Sequence, residues 1–527
     1  MAIDMMGDAP VGAIVPFFGE VPASVNEAGW LVCSGQVLSR KEWPDLFEAI
    51  GHAFGYKSQQ DDFCLPDLRG VFLRTLDAGA GNDKNAKDRT PSGPNGSGNG
   101  GDKIGSFQRD ATRTPRAGSF SIQGAFNADY NTTHDGCDGD SRIRYKSSSQ
   151  TVDYGGGDAE SRPVNINGIY LIKAKPNDRS RPAVGQVPVG AAMSLPFKPG
   201  PDTPVDDFWR YCEGQTFISA QGSTFYELFE MLQFGNGGES GATPRFAIPD
   251  LRGVFVRGLA AGRDGAQFDP DRGKRETPRP NLSKQGNAGD KVGSYQGWAT
   301  AMPRKNAFSA SIPSYPYDKT SKYQAGLATA AAFGSDKTFD VTGGDAETRP
   351  ISMAMRWYIR FMASGTQPTP GEELPLGAVI AAGTEGGSLA KWRPCHGQIL
   401  QIRDYEALFK IIGTQFGGDG KENFQLPDLR GYFLRGVGEE GASYPRPRGE
   451  PDKTAGAKQV DATAKPNNKF TVTLKNWPGG STHNVINYGT GTRLLKVVGD
   501  PSVKSPDGDD ETRPINVYVQ HLIKVLY

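Results

Sequence analysis

Phe63-Cys64-Leu65-Pro66-Asp67-Leu68-Arg69-Gly70 decides how this chain is read, because it returns twice. The second copy is Phe246-Ala247-Ile248-Pro249-Asp250-Leu251-Arg252-Gly253 and the third is Phe424-Gln425-Leu426-Pro427-Asp428-Leu429-Arg430-Gly431. Each runs on to Phe72, Phe255 or Phe433 and then to Arg74, Arg257 or Arg435. The copies lie about 180 residues apart, the size of an ordinary domain. The reading is three tandem domains, over 1–175, 187–363 and 375–527.

Upstream of each motif stands a helical period: Trp43, Leu46, Phe47, Ile50; then Phe225, Leu228, Phe229, Leu232; then Tyr405, Leu408, Phe409, Ile412. Spacing of i, i+3, i+4, i+7 puts each set on one helix face, turned to a core. Gly51 and Gly413 follow directly and supply left-handed ends, whereas the middle helix is expected to run on to Phe234 and Gly235. Further upstream, Trp30 and Cys33, Trp209 and Cys212, and Trp392 and Cys395 each lead into Gly-Gln, a strand entering a tight turn. Each Trp reads as a core anchor and each Cys as a small buried residue. Five cysteines, three at one repeat position, make no disulfide framework. Apolar strands open the copies at 11–18, 189–197 and 376–381.

Downstream the copies diverge, over 75–155, 259–342 and 437–506, with low-complexity runs such as 90–100 that need neighbours to be ordered. A thread survives there: Gln108, Ala111, Thr112 and Pro115 match Gln296, Ala299, Thr300 and Pro303, and Gln459, Ala462, Thr463 and Pro466. Short alternating strands follow at 120–122, 308–312 and 470–474. Each copy closes on a Glu-x-Arg-Pro, with Glu160 and Arg162, Glu347 and Arg349, and Glu511 and Arg513, before apolar strands at 164–173, 351–361 and 515–526. Two apart on extended chain, Glu and Arg face one way and can pair locally or across domains. The linkers, 175–186 and 364–374, are rich in Pro and Gly and reach about 30 Å.

With 69 Gly and 38 Pro, composition favours turns over helices, giving a mainly β chain with one short helix per repeat (α+β) and long Gly/Ser-rich loop insertions. Lys plus Arg equals Asp plus Glu at 59, so nothing draws the chain to nucleic acid or anionic lipid. No apolar run approaches the length of about 20 residues that spans a bilayer, and residues 1–10 lack signal-peptide order. The chain is expected to be made in the cytosol. The Asp-Leu-Arg of the motif could clamp a substrate, but no His, Ser or Cys recurs beside it, and an ion pair or turn cap at a structural corner is the reading adopted. No carboxylate pair stands out as a glycosidase pair would, so no enzyme and no cofactor is expected. Loop tyrosines, Tyr130 and Tyr145 in copy one and Tyr315 and Tyr317 in copy two, are candidate receptor contacts, suited to stacking on sugars or to packing their own loops.

Taken together, the opening strand, Trp-x-x-Cys-x-Gly-Gln, the amphipathic helix, Leu-Pro-Asp-Leu-Arg-Gly and the closing Glu-x-Arg-Pro resemble the phage tail collar domain, known from short tail fibres and microcystin-dependent proteins. The resemblance covers most of the chain. It implies a structural component of a phage tail or phage-tail-like particle, a baseplate or tail-fibre collar protein in the virion. Other tail and baseplate proteins would be its partners, its loops would be free to contact a host surface, and it would assemble as a trimer. In the family a His-x-His after the thread Pro helps hold an axial metal. Here Arg116-Ala117, Arg304-Lys305 and Asn467-Asn468 follow instead, so no axial metal is expected. Three copies in one chain leave two arrangements open: a homotrimer of parallel chains, the family habit and the arrangement preferred, or a single-chain pseudo-trimer, which the short linkers permit and the absence of any heptad segment supports.

Overall fold

The structure is a computed structural model that describes residues 9–18, 21–83, 85–112, 120–122, 153–156, 161, 163, 165–176, 187–195, 208–252, 254–261, 263, 269–278, 281–301, 337–343, 348, 350, 352–360, 374, 376–382, 391–436, 455, 457–459, 463, 470–474, 512, 514, 516–524 and 526. It is mainly β with a few short helices.

Twelve strands carry the architecture, four from each third of the chain. The first stretch supplies β1 (Ala13–Phe17), β2 (Trp30–Val32), β3 (Phe72–Thr75) and β4 (Asn165–Lys173). From the middle stretch come β5 (Ala192–Leu195), β6 (Trp209–Tyr211), β7 (Phe255–Gly258) and β8 (Ser352–Arg360). The last stretch gives β9 (Val379–Ala382), β10 (Trp392–Pro394), β11 (Phe433–Gly436) and β12 (Asn516–Lys524). The amphipathic periods form α1 (Pro44–Ile50), α2 (Tyr226–Leu232) and α3 (Glu406–Ile412), whose Leu46, Leu228 and Leu408 are fully buried. The first stretch holds a further five-residue helix, Ala23–Glu27, beyond the one expected.

The opening strands are shorter than their apolar runs, because Gly12, Gly190 and Gly377 adopt positive φ and turn the chain just before them. Helix α2 does not run on to Gly235. It stops at Leu232, where Gln233 takes φ 46° and donates its N–H to Phe229 O at 2.7 Å. Gly51 and Gly413 do the same for α1 and α3, at φ 51° and 53°. The end is set by the turn geometry shared by the three stretches, and glutamine bears the strain that glycine avoids.

Within each stretch the long closing strand lies between two others. Strand β4 pairs antiparallel with β1 and β2, β8 with β5 and β6, and β12 with β9 and β10. Their apolar residues, with Trp30, Trp209 and Trp392, join one large core. Elsewhere, strands 120–122, 337–343, 470–474 and 153–156 form a four-stranded sheet in that spatial order, drawn from all three stretches.

Candidate functional site: the axis where three stretches meet

The motif corner is built by the Trp-x-x-Cys strand on one side and by its own Asp and Arg on the other. Cys33 N donates to Tyr170 O on β4, and Cys33 O accepts from Leu68 N in the motif. Cys212 and Cys395 repeat this, with Trp357 and Leu251, and with His521 and Leu429. Pro66, Pro249 and Pro427 are buried, as are the three tryptophans and the three cysteines. Burial pushes all three thiols well above their ordinary pKa, and the described cysteines are unpaired with one another. Arg69 forks onto Asp67 with two bonds of 2.9 Å. Arg252 forks onto Asp250 at 2.9 and 2.8 Å, and Arg430 onto Asp428 at 2.9 and 2.7 Å. Each carboxylate raises its guanidinium above the usual arginine value.

The corner also receives a neighbour, which the local reading of the Asp-Arg pair did not contain. Arg263, from the middle stretch, donates to Asp67 O and Arg69 O, both at 2.9 Å, and approaches the Asp67 carboxylate at 3.3 Å. Burial lowers its pKa to about 10, opposed by Asp67 and reinforced by the like charge of Arg69. From the first stretch, Asn82 donates to Arg430 O at 2.9 Å.

Beyond the corners, the Phe-x-Arg strands converge. Strands β3, β7 and β11 pair antiparallel with one another around a closed circuit, with Arg257 opposite Phe72, Phe433 opposite Arg74, and Phe255 opposite Arg435. Phe72, Phe255 and Phe433, each about 1% exposed, form a separate cluster on the axis so defined. Each arginine lies over its opposite ring: Arg74 5.2 Å from Phe433, Arg257 5.2 Å from Phe72, and Arg435 5.3 Å from Phe255. Arg74 Nε donates to Gly431 O and Arg257 Nε to Gly70 O, so each also grips the next corner.

These buried charges are compensated. Asp83 pairs with Arg74 at 3.1 Å and Arg89 at 3.2 Å, and Gln108 Oε1 accepts from both arginines. Asp269, Arg257, Arg275 and Gln296 repeat the set in the middle stretch. Gln108 and Gln296 of the thread are thus acceptors for Arg74 and Arg257, and the thread threonines pair with hydroxyls before the closing strands: Thr112 with Ser161, Thr300 with Thr348, Thr463 with Thr512.

The closing strands complete the circuit. Strand β4 runs parallel to β7 of the middle stretch, β8 to β11 of the last, and β12 to β3 of the first. Each stretch gives its closing strand to the next, and the last gives its own to the first. Opening strands meet on the same axis, β1 and β5 both pairing with β9.

Glu160, Arg162, Glu347, Arg349, Glu511, Arg513 and Tyr130, Tyr145, Tyr315 and Tyr317 lie outside the described residues. Among the described residues no group of three His, Cys, Asp or Glu could hold a metal, and no helix is long and apolar enough to cross a membrane. What the arrangement can do chemically is join stretch to stretch within the chain: it is a set of apolar and charge-assisted contacts between strands.

The model of the phage tail collar domain matches residues 12–73 and 377–434, from each opening strand into the first two residues of the Phe-x-Arg strand. The chain is 30% identical over 202 residues to protein RhiB of Rhizobium leguminosarum bv. viciae, covering 32% of this chain and 88% of RhiB. The chain belongs to the phage tail collar family. It is also 31% identical over 103 residues to short tail fiber protein gp12 of Enterobacteria phage T4, spanning 20% of this chain and 19% of gp12. StfE of Escherichia coli (strain K12) is 39% identical over 74 residues, 14% of this chain and 34% of StfE. The chain thus spans most of RhiB but a small part of the two others. Both collar matches stop at the axis, and the middle stretch, which the model passes over, carries the same Trp strand, helix, corner and central strand.

The Phe-x-Arg pairs were visible in sequence as the motif's tail, but their meeting on one axis was not. Arg89 and Arg275 stand in the divergent segments, each six residues after the Asp it pairs with, Asp83 or Asp269, and shortly before a Thr-Pro, whereas Arg263 has no counterpart Arg in the other copies.

Proposed function

We propose that the chain is a non-catalytic structural protein of tail-fibre type in a phage tail or phage-tail-like particle, placed at the baseplate or its fibres. Its three stretches would be three collar domains standing in for the protomers of a trimer. The observation that carries this reading is the closed circuit of β3, β7 and β11, with a phenylalanine from each on the axis. Such a circuit is what three identical protomers would make around a true threefold, and here one chain makes it. The family membership and the tail fiber relative support the particle. Trp30, Trp209, Trp392 and the three corners are assigned to holding the domains together.

Native mass spectrometry of the purified chain tests the single-chain arrangement. One copy, at 56.6 kDa, is expected, and an obligate three-chain mass would overturn it. Immunogold electron microscopy of particles from producing cells tests location: label at the distal tail is expected, whereas label at the neck or on no particle would refute the placement. Host contact, assigned to the segments between central and closing strands, is tested by binding of the purified chain to isolated envelopes.

A further inference from the structure

Asn-Gly occurs four times in the chain, as Asn95-Gly96, Asn99-Gly100, Asn167-Gly168 and Asn236-Gly237. The pair is chemically fragile, because glycine has no side chain to shield its amide nitrogen from the carboxamide carbon of the asparagine before it. Whether the two groups meet depends on backbone freedom and on water, and the fold treats the four pairs differently.

Three of them are held. Asn167 is fully buried on β4, where Asn167 and Gly168 stand in the parallel ladder with Arg257 and Gly258, and Leu259 N donates to Gly168 O at 2.8 Å. Asn236 is 1% exposed in the turn after α2, and Gly237 N donates to Phe234 O at 2.9 Å. Asn99 is half-buried and tied twice: its N–H donates to Ala53 O at 3.0 Å and its Nδ2 to Ile104 O at 2.9 Å.

The fourth pair stands in solvent. Asn95 and Gly96 are both exposed, Asn95 takes the left-handed conformation at φ 53° and ψ 28°, and a side-chain carbon placed on Gly96 would meet nothing within 4 Å. The residues on either side are anchored. Ser97 N donates to Pro94 O at 2.9 Å, Tyr56 N donates to Ser97 Oγ at 3.0 Å, and a side-chain carbon on Gly55 would stand 2.6 Å from Gly93 Cα.

We propose that Asn95 is the site at which this chain deamidates without an enzyme, and that the loop carrying it loosens from the turn after α1 when it does. Gly96 N gives up its proton and bonds to Asn95 Cγ; the Cγ–Nδ2 bond breaks, and the amide nitrogen leaves with that proton as ammonia. Water then opens the cyclic imide. Cleavage between Gly96 N and Cγ leaves aspartate, whereas cleavage between Gly96 N and the backbone carbonyl carbon leaves isoaspartate, whose main chain runs through Cβ and Cγ. Either product puts a carboxylate where a neutral carboxamide stood. The isoaspartate also adds one carbon to the backbone inside the Pro94–Ser97 turn, so the Ser97 N to Pro94 O bond and the Tyr56 N to Ser97 Oγ bond are lost together.

The test is to age the purified full chain at neutral and at mildly alkaline pH, native and in urea, and to follow the peptides spanning the four pairs by mass spectrometry. In the native chain the Asn95 peptide should convert at least about tenfold ahead of the other three, since each of those must first open locally. Its conversion should be faster at the higher pH, because the attacking nitrogen must lose its proton, and it should yield two products of equal mass. In urea all four should convert at similar rates. Hydrogen exchange of the aged chain should show the Tyr56 and Ser97 amides losing protection, a loss absent from Asn95→Gln, whose six-membered ring closes more slowly. Conversion of Asn99, Asn167 or Asn236 as early as Asn95, or an Asn95 that converts in the native chain at least about tenfold more slowly than in urea, overturns the assignment. Unchanged exchange at Tyr56 in fully converted chain overturns the loosening.

Discussion

Arg74 and Phe433 are register partners from opposite ends of the chain, and the guanidinium carbon of one stands 5.2 Å from the ring centre of the other. The contact is one of three equivalent ones, and it explains why Phe-x-Arg follows every copy of the motif. An arginine can lie flat on a ring while its edge donors reach a carbonyl and a carboxylate; a lysine cannot do all three.

Arg74→Ala is expected to cost about 3–5 kcal/mol, because Asp83 loses one of its two guanidiniums in a buried setting and Gly431 O loses its donor. Arg74→Lys should recover less than half of this. Urea unfolding monitored by circular dichroism measures both, and a loss below about 1 kcal/mol for the alanine variant would remove the axial arginines from the account of assembly.

Arg263→Ala takes two donors from backbone carbonyls of the first corner and should cost about 1–3 kcal/mol. Its effect should be local. Hydrogen exchange is expected to rise over residues 67–70 and to stay unchanged over 428–431, whose neighbour is Asn82.

Gln233→Gly should stabilise the chain by about 1 kcal/mol, since glycine takes φ 46° and ψ −138° without strain. Gly51→Gln should cost about as much, with nothing within 4 Å to block the new side chain. Thermal melting of the two variants gives shifts of opposite sign if backbone strain governs the site.

Cys33, Cys212 and Cys395 should resist a thiol-reactive disulfide reagent at pH 8 in the folded chain and react once it is denatured, because burial holds them as thiols. Rapid modification of any of the three in the native state, located by peptide mapping, would contradict the packing described.

Helix faces were legible because apolar spacing at one period is set within a few residues, as in Leu46 and Ile50. The Asp67–Arg69 fork was legible for the same reason: both groups sit in one turn. Arg263 was not. Its partners lie in another stretch, the first copy has Ala80 at the matching place, and a buried arginine looks in sequence like a solvated one. The end of α2 misled because glutamine at a left-handed cap breaks the residue preference while obeying the geometry. The direction in which closing strands are exchanged could not be read at all, since a strand paired with its own stretch and one paired with the next carry the same alternating apolar pattern.

Strand β12 fits beside β3 although most of the chain is synthesised between them. A ribosome adding 5–20 residues per second therefore leaves the first stretch with an unfilled strand position for on the order of tens of seconds. The circuit cannot close piece by piece as the chain emerges. It must wait for Asn516–Lys524, and the exposed strand edge in the nascent chain is the point at which a stray strand, or a protective chaperone, would act.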